Sequence, residues 1–490
     1  MREALKKLSG DSLIYGLGQV GNRAVNLLMV PILTRVLRPG EYAISELAFA
    51  YSQTAILVLV MGLDGALARF FYHEPDRAAR IRMASTSLVF RIVTSVAVAL
   101  VIASLAGPLA TQFMGGAAYR KYVMVSAATL PFTLIVLFGN DVLRVTIQPI
   151  KFVILNFVNV TLVFGMSFLF VVVQHRGVIG VLYGKAIGDA CSAALALVLA
   201  RHSLRPVFDR PVLRRMLTYG LPAVPAIFFF GLVASFDRFV LQRTRTLDEV
   251  AIYGIAAKFL SVVSMGVAGF QLAYAPFAYS RAHHPESPRM FAKFFAIYVA
   301  AASGAALLVG LLAPNVLAVL VPPAYRSAAA PALWLAFAAV AQGAYTIASI
   351  GIGIALATPW LNLSGASAAL VSIGGQWLLT PRLGPPGAAA ATFAAYFASA
   401  VVTYAVSQRV HPLPYRGWRL AALGLGALAA GVVGQRFSPP GTTGTVIRLG
   451  IVAVYALAVW RLRVWTAGFA VGRDPRADQD ADSAEQRTRD

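Results

Sequence analysis

Met216-Leu217-Thr218-Tyr219-Gly220-Leu221 opens an apolar run that reaches Asp237-Arg238-Phe239-Val240-Leu241. After a polar elbow at 242–249, a second run carries Lys258 and ends near Tyr274-Ala275-Pro276-Phe277. Two properties make this stretch decisive. It places charged residues inside apolar blocks, and it copies the start of the chain. Leu13-Ile14-Tyr15-Gly16-Leu17 returns as Leu217-Thr218-Tyr219-Gly220-Leu221, and Glu41-Tyr42-Ala43-Ile44 returns as Glu249-Val250-Ala251-Ile252, at an offset of 204 to 208 residues. Self-similarity at a nearly fixed offset marks an internal repeat. The chain begins again at Met216.

Composition decides the solvent. Apolar residues make up 58% of the chain and charged residues 13%, against roughly 25% charged in an ordinary soluble domain. The apolar residues come in blocks of about 20, which as helices cross the roughly 30 Å hydrocarbon layer and satisfy their own backbone. The chain is therefore read as an all-α polytopic membrane protein. Fourteen spans are expected, at 12–36, 42–66, 84–106, 122–143, 151–173, 178–200, 216–240, 250–274, 291–313, 330–356, 360–380, 385–408, 417–435 and 445–464. Gly177-Val178-Ile179-Gly180 opens span six and Gly384-Pro385-Pro386-Gly387 opens span twelve, 207 residues later. Two units of six spans enter the membrane in the same direction, as parallel repeats do. The expected division is an N-terminal lobe at 1–210, a C-terminal lobe at 211–412, two further spans at 413–468 and a polar tail at 469–490. That tail has the composition of a disordered segment.

The net charge of +22 does not indicate nucleic acid, because most of the Arg and Lys sit singly in short loops, as in cytoplasmic loops of membrane proteins. With the N-terminus inside, one side collects 22 basic residues and the other 11 before the tail is counted. Both termini are thus expected in the cytoplasm. Arg2, Lys6 and Lys7 precede a long span with no cleavage-site pattern, which reads as a retained anchor. The single cysteine, Cys191, allows no intrachain disulfide. The six histidines lie in loops with no metal-ligand spacing, and no Gly-Lys-Ser/Thr phosphate loop is present. Neither metal nor cofactor is expected.

The charges inside spans are the candidate site. Arg23 lies roughly 15 Å into span one at 1.5 Å per residue. Against lipid an Arg there costs on the order of 2.5–3.5 kcal/mol, so it should face an interior or a wet cavity. Ser12, Gly16, Gln19, Arg23 and Asn26 form one polar stripe at helical spacing. Its alternative partners are Asp64 and Asp141. Lys258 lies about 12 Å into span eight. Asp237 and Arg238 are adjacent and are expected about 100° apart on a helix, not facing one another. Lys185 and Asp189, at i,i+4, are expected to neutralise each other. Glu46, Arg91, Asp64, Asp141 and Arg144 stand close enough to span ends to reach headgroups or water.

Tyr15-Gly16-Leu17-Gly18-Gln19, Pro31-Ile32-Leu33-Thr34-Arg35-Val36-Leu37, Ser235-Phe236-Asp237-Arg238-Phe239-Val240-Leu241 and Gly269-Phe270-Gln271-Leu272-Ala273-Tyr274-Ala275-Pro276-Phe277 carry a resemblance. So do Ala251-Ile252-Tyr253, Arg144 followed by Lys151-Phe152 and Asn156, and Gly387-Ala388-Ala389-Ala390-Ala391-Thr392. Taken together, over about 10–410, these stretches make the chain resemble the polysaccharide flippases of the MOP superfamily, the Wzx-type exporters of lipid-linked oligosaccharide. The resemblance implies two six-helix lobes around a central cavity, two trailing helices and alternating access in a bacterial inner membrane. It also implies a polyprenyl-pyrophosphate glycan as cargo, with membrane lipids and other polysaccharide-assembly proteins as partners. Arg23, Asn26, Gln19, Lys258 and Arg238 are the expected cargo contacts, with Asp237 and Asp64 as coupling or structural acids. One departure is the Gly-, Ala- and Leu-rich stretch 351–370, which offers few polar groups for a sugar.

Two other readings compete. A cation-coupled multidrug exporter of the same superfamily needs an acid at mid-depth in the first span of a lobe, where this chain has Arg23. A membrane-embedded polysaccharide-assembly enzyme needs acidic groups or large outer loops, and the outer loops here are short, with no Asp-x-Asp. A pure scaffold would carry its buried charges at a cost and to no purpose.

Overall fold

Long apolar blocks punctuated by Pro, Gly and Asp give an all-helical chain. The computed structural model describes residues 27–281, 286–355, 357–414, 416–464 and 466. In chain order the helices are α1 (Leu27–Val36), α2 (Pro39–Val60), α3 (Leu63–His73), α4 (Arg77–Ser104), α5 (Ala106–Met114) and α6 (Arg120–Val145). Then come α7 (Pro149–Phe168), α8 (Gly177–Ala200), α9 (Arg210–Gly220), α10 (Val224–Thr244) and α11 (Leu247–Ser280). The remainder are α12 (Ser287–Leu320), α13 (Ala329–Ile354), α14 (Leu361–Leu383), α15 (Pro385–Val410), α16 (Gly417–Phe437) and α17 (Thr442–Arg461). Starts follow local chemistry. Asp76 caps α4 by accepting from the backbone N–H groups of Ala78 and Ala79, and proline, with its N–H dispensable there, opens α2, α7 and α15.

Among the described residues, eleven helical segments are long and apolar enough to cross a membrane, so the expected fourteen is not reached. Only the last part of span one, α1, is described. The span expected at 360–380 is a helix of 23 residues, α14, but Asn362, Ser364, Ser367, Gly374 and Gln376 lower its apolar content. The 21-residue α10 is likewise outside the eleven. Span two differs in shape as well as in length. It is two helices, α2 and α3, broken where Met61 (φ 48°) and Gly62 (φ 68°) turn left-handed.

The chain divides into two compact units, Met1–Ile255 with Leu320–Tyr325, and Ala256–Val319 with Arg326–Asp490. In the first unit α8 packs on α6 and α7. Gly184 and Gly188 make that possible: a Cβ on Gly188 would stand 2.6–2.8 Å from Val163, and one on Gly184 would strike Ser167. Small residues at four-residue spacing let membrane helices approach backbone to backbone. The first unit also takes in α9, α10 and the start of α11. Gly62 meets Gly220 backbone to backbone, with an added Cβ 2.5 Å from the Gly220 carbonyl, and Thr54 donates to Ser235 at 2.9 Å.

The second unit has its own core. Phe291, Phe295 and Val299 of α12 and Leu333, Phe337 and Val340 of α13 are buried together with Leu420, Ala427 and Leu428 of α16. The two trailing helices are pinned by hydrogen bonds. Gln435 donates to the carbonyls of Gly310 (2.8 Å) and Ala329 (3.0 Å), Arg448 to Asn315 (3.0 Å), and Tyr455 to the Ala300 carbonyl (2.9 Å).

Candidate functional site

The first unit concentrates its buried charge where α2, α10 and α11 meet. Asp237 is 3% exposed. Its Oδ1 takes the Arg238 backbone N–H at 2.6 Å and Arg238 Nη1 at 3.2 Å, and its Oδ2 takes the Tyr253 hydroxyl at 2.5 Å. Arg238 also donates to the Ala234 carbonyl at 3.0 Å, and its guanidinium lies 5.6 Å from the centre of the Tyr253 ring. The expectation that the adjacent Asp237 and Arg238 do not face one another is therefore corrected. The Arg side chain is long enough to fold back towards the preceding turn and meet its short neighbour, which the 100° rule for Cβ directions does not capture.

Glu46, on α2, is buried beside this pair. Its carboxyl rests against Gly254 of α11, where a Cβ would lie 3.1–3.2 Å from it. The Tyr42 hydroxyl bonds to Glu46, and the Glu46 charge also acts on Arg238. Tyr42 in turn meets the edge of Tyr325, whose hydroxyl donates to the Leu37 carbonyl at 2.8 Å. Two carboxylates thus share one guanidinium and several hydroxyls in an enclosed place. Such a group ties α2, α10 and α11 together through charge-assisted hydrogen bonds.

A second network lies between α6, α7 and α8. Asp189 accepts from Lys185 at 2.7 Å, Thr133 at 2.6 Å and Asn159 at 2.9 Å. The expected Lys185–Asp189 pair is present. Asn156 donates to Asn140 at 2.8 Å, and Arg144 lies over the Phe152 ring at 5.7 Å. A third pair is Arg91–Asp141 at 2.9 Å, with the Arg91 side chain wholly buried. The expectation that Arg91 and Glu46 reach headgroups or water is therefore corrected, because neighbouring helices cover both. It also means that Asp141 already has a cation.

The remaining predicted residues are scattered. Gln19, Arg23 and Asn26 lie outside the described residues. Asp64 stands exposed in the first turn of α3, where a negative charge complements the helix dipole. Lys258 is half-buried on α11, in the second unit. Of the candidates, the structure brings together Asp237 and Arg238. Sequence reasoning missed Glu46, Tyr42 and Tyr253 as their companions. The available signal was the i,i+4 spacing of Tyr42 and Glu46 on one face. Among the described residues no group of three or more His, Cys, Asp or Glu could hold a metal ion.

The family model described as "Polysaccharide biosynthesis protein" matches residues 9–278, more than half of the chain. The chain belongs to this family. Among solved structures, this polysaccharide biosynthesis family chain is similar to the lipid II flippase MurJ in an inward closed conformation. The TM-score is 0.72 at 11% identity, covering 92% of this chain and 99% of that one. It is also similar to a multidrug resistance MATE family transporter in an inward-facing conformation, with TM-score 0.62, 15% identity, and 82% and 95% covered. A MOP superfamily transporter from Pyrococcus furiosus follows, with TM-score 0.55, 15% identity, and 85% and 95% covered. Those likenesses show that the chain shares its fold with these membrane transporters, and its many apolar helices are those of a multi-pass membrane protein. Among curated protein sequences none matches this chain.

Proposed function

We propose that the protein flips a polyprenyl-pyrophosphate-linked oligosaccharide from the cytoplasmic to the outer leaflet of the bacterial inner membrane. It works by alternating access, with both termini in the cytoplasm, and serves surface polysaccharide assembly alongside other assembly proteins. The family match over residues 9–278 carries this reading. The sign of the span-one charge chooses the cargo. A diphosphate leaving water needs cations where the dielectric is low, since charge-assisted hydrogen bonds are strong there. Arg23 and Lys258 fill that role, with Gln19 and Asn26 on the Arg23 stripe. Arg238 contributes as a partly screened cation, because Asp237 already engages it.

The likeness to a MATE transporter favours a second reading, a cation-coupled multidrug exporter. Such a protein needs a carboxylate open to its cation. Asp141, Asp189 and Asp237 each hold a cationic side chain of this chain, at 2.9, 2.7 and 3.2 Å, which supports the flippase instead. The Pyrococcus furiosus relative is described as having a binding pocket of reverse polarity that suggests a different function, so sign is a fair criterion within the superfamily.

The test replaces Arg23 and Lys258 by Ala, singly and together, and measures surface glycan alongside membrane insertion of each variant. Each single variant is expected to abolish export while remaining inserted. Wild-type export by an inserted double variant would remove both residues from the site.

A further inference from the structure

α9 lies on the face that the basic-residue count assigns to the cytoplasm, and its two sides differ sharply. Leu213 and Met216 are buried with Leu63, Leu67 and Phe71 of α3. That leaves Arg214, Arg215, Thr218 and Tyr219 exposed. The helix meets α3 through a crossed arrangement. Arg215 of α9 lies 4.5 Å from the centre of the Phe70 ring of α3, and Arg69 of α3 lies 4.9 Å from that of Tyr219 of α9. The two rings touch edge to face at 5.5 Å. Each guanidinium is thus held over the other helix's aromatic ring, an arrangement that orients it without neutralising it. Beside the rings opens a recess of about 1180 Å³, lined by Arg210, Arg214, Arg215, Phe70 and Tyr219 with Leu217 and Leu221.

Among the described residues no carboxylate pairs with these charges. Arg69, Arg210, Arg214 and Arg215 stand outside the ion pairs formed among the described residues, such as Arg82–Asp76 and Arg91–Asp141. The one acid at the start of α9, Asp209, is spent capping its own helix through the Val212 N–H. Four like charges on two packed helices repel, and an anion seated among them relieves that repulsion. Guanidiniums bind phosphate oxygens in bidentate fashion. The apolar and aromatic part of the lining suits a ligand whose other end is hydrocarbon.

We infer that the recess between α3 and α9 is a binding site for the phosphate ester headgroup of a membrane lipid. The chemistry is shared by bulk anionic phospholipid and by a polyprenyl diphosphate. Binding in the recess does not depend on the flippase reading, because either source satisfies it.

The experiment uses the full-length protein in nanodiscs of phosphatidylcholine, supplied with phosphatidylglycerol, with polyprenyl diphosphate or with inorganic phosphate. Retained ligand is read by native mass spectrometry. Wild-type protein is expected to retain both lipids. Arg69→Gln/Arg215→Gln is expected to weaken retention about tenfold or more, and Arg69→Lys/Arg215→Lys to recover part of it. A preference of about tenfold for the diphosphate makes the site a loading point for cargo. Equal retention makes it an anchor for bulk lipid, and either outcome upholds the inference. Wild-type retention that does not change between about 0.1 M and about 1 M salt, where exposed charges lose most of their reach, would overturn it without recourse to any variant. Glutamine variants that fold and retain both lipids as wild type does would overturn it too, as would inorganic phosphate displacing them at equal concentration.

Discussion

Replacing Asp141 by Leu strands the guanidinium of Arg91 in the first unit, and the cost can be worked from the structure. Arg91 is wholly buried and Asp141 is 15% exposed, with 2.9 Å between Nη1 and Oδ2. At that distance and an effective dielectric constant of about 20, the gross attraction is about 6 kcal/mol. Desolvation of both ions offsets most of it, so the pair itself contributes little against an apolar substitute. Removing one partner is different, and costs roughly 3–5 kcal/mol because the other charge stays buried. Asp141→Leu should fall at the upper end. Nε and Nη2 of Arg91 already lack partners, and the ring of Phe138 at 5.8 Å is its remaining neighbour. Arg91→Met should fall at the lower end, since the Asp141 side chain keeps 15% of its surface exposed whereas that of Arg91 keeps none. Arg91→Met/Asp141→Leu, matched in volume and apolar, should return to within about 1–2 kcal/mol of wild type. For a unit of this size, roughly 2–4 °C of midpoint accompany each kcal/mol. The single variants should therefore lose roughly 6–20 °C in thermal unfolding followed by the monodisperse peak in detergent, all at one heating rate. Raising the salt should not change the difference, because a buried pair is weakly screened. Single variants within about 2 °C of wild type, or a double variant worse than either single, would refute the reasoning.

Two further outcomes test the packing and the charge cluster. Gly188→Leu drives a side chain into the Val163 backbone and should cost about 1–3 kcal/mol, visible as a lower unfolding midpoint. Gly165→Ala, on the facing helix with nothing within 4 Å of its Cβ, should leave the midpoint unchanged or raise stability by up to about 1 kcal/mol and serves as the control. Tyr253→Phe removes the hydroxyl that Asp237 Oδ2 accepts and should cost about 1.5–3 kcal/mol, the range for a hydrogen bond to a charged group. An unchanged midpoint in that variant would mean that the carboxylate finds another donor.

How far the sequence could be read depends on how local each cause is. Helices were legible because a 20-residue apolar block in lipid has no other backbone solution. The Lys185–Asp189 pair was legible because i,i+4 spacing on one helix fixes the distance. Arg91 and Asp141 are 50 residues apart, and nothing in either neighbourhood names the other, so their meeting is a property of how α4 packs on α6. The Asp237–Arg238 contact was misread for another reason. Helical geometry constrains where Cβ points, while a side chain with four rotatable bonds escapes that constraint. The polar content of α14 was visible in its residues, yet a helix formed there regardless, held by partners in the second unit such as Thr403, which donates to Ser364. The Gly180, Gly184, Gly188 series could have been found by looking for small residues at four-residue spacing in span six.

The break between α2 and α3 has a counterpart that did not break. Val60-Met61-Gly62-Leu63 recurs 204 residues later as Ser264-Met265-Gly266-Val267, and there α11 runs straight through. The local words are nearly the same, so the difference is set by company. Gly62 is clasped by Gly220, whereas Gly266 has nothing within 4 Å of its Cβ. One molecule thus displays both the bent and the extended form of a single dipeptide. Releasing the clasp would leave Met61 paying roughly 1–2 kcal/mol for its left-handed backbone with no return. The eleven residues of α3 are a lever of about 16 Å at 1.5 Å per residue, and the amphipathic helix gripping its fulcrum is the same one whose three arginines line the recess. Whatever settles in that recess leans on the fulcrum.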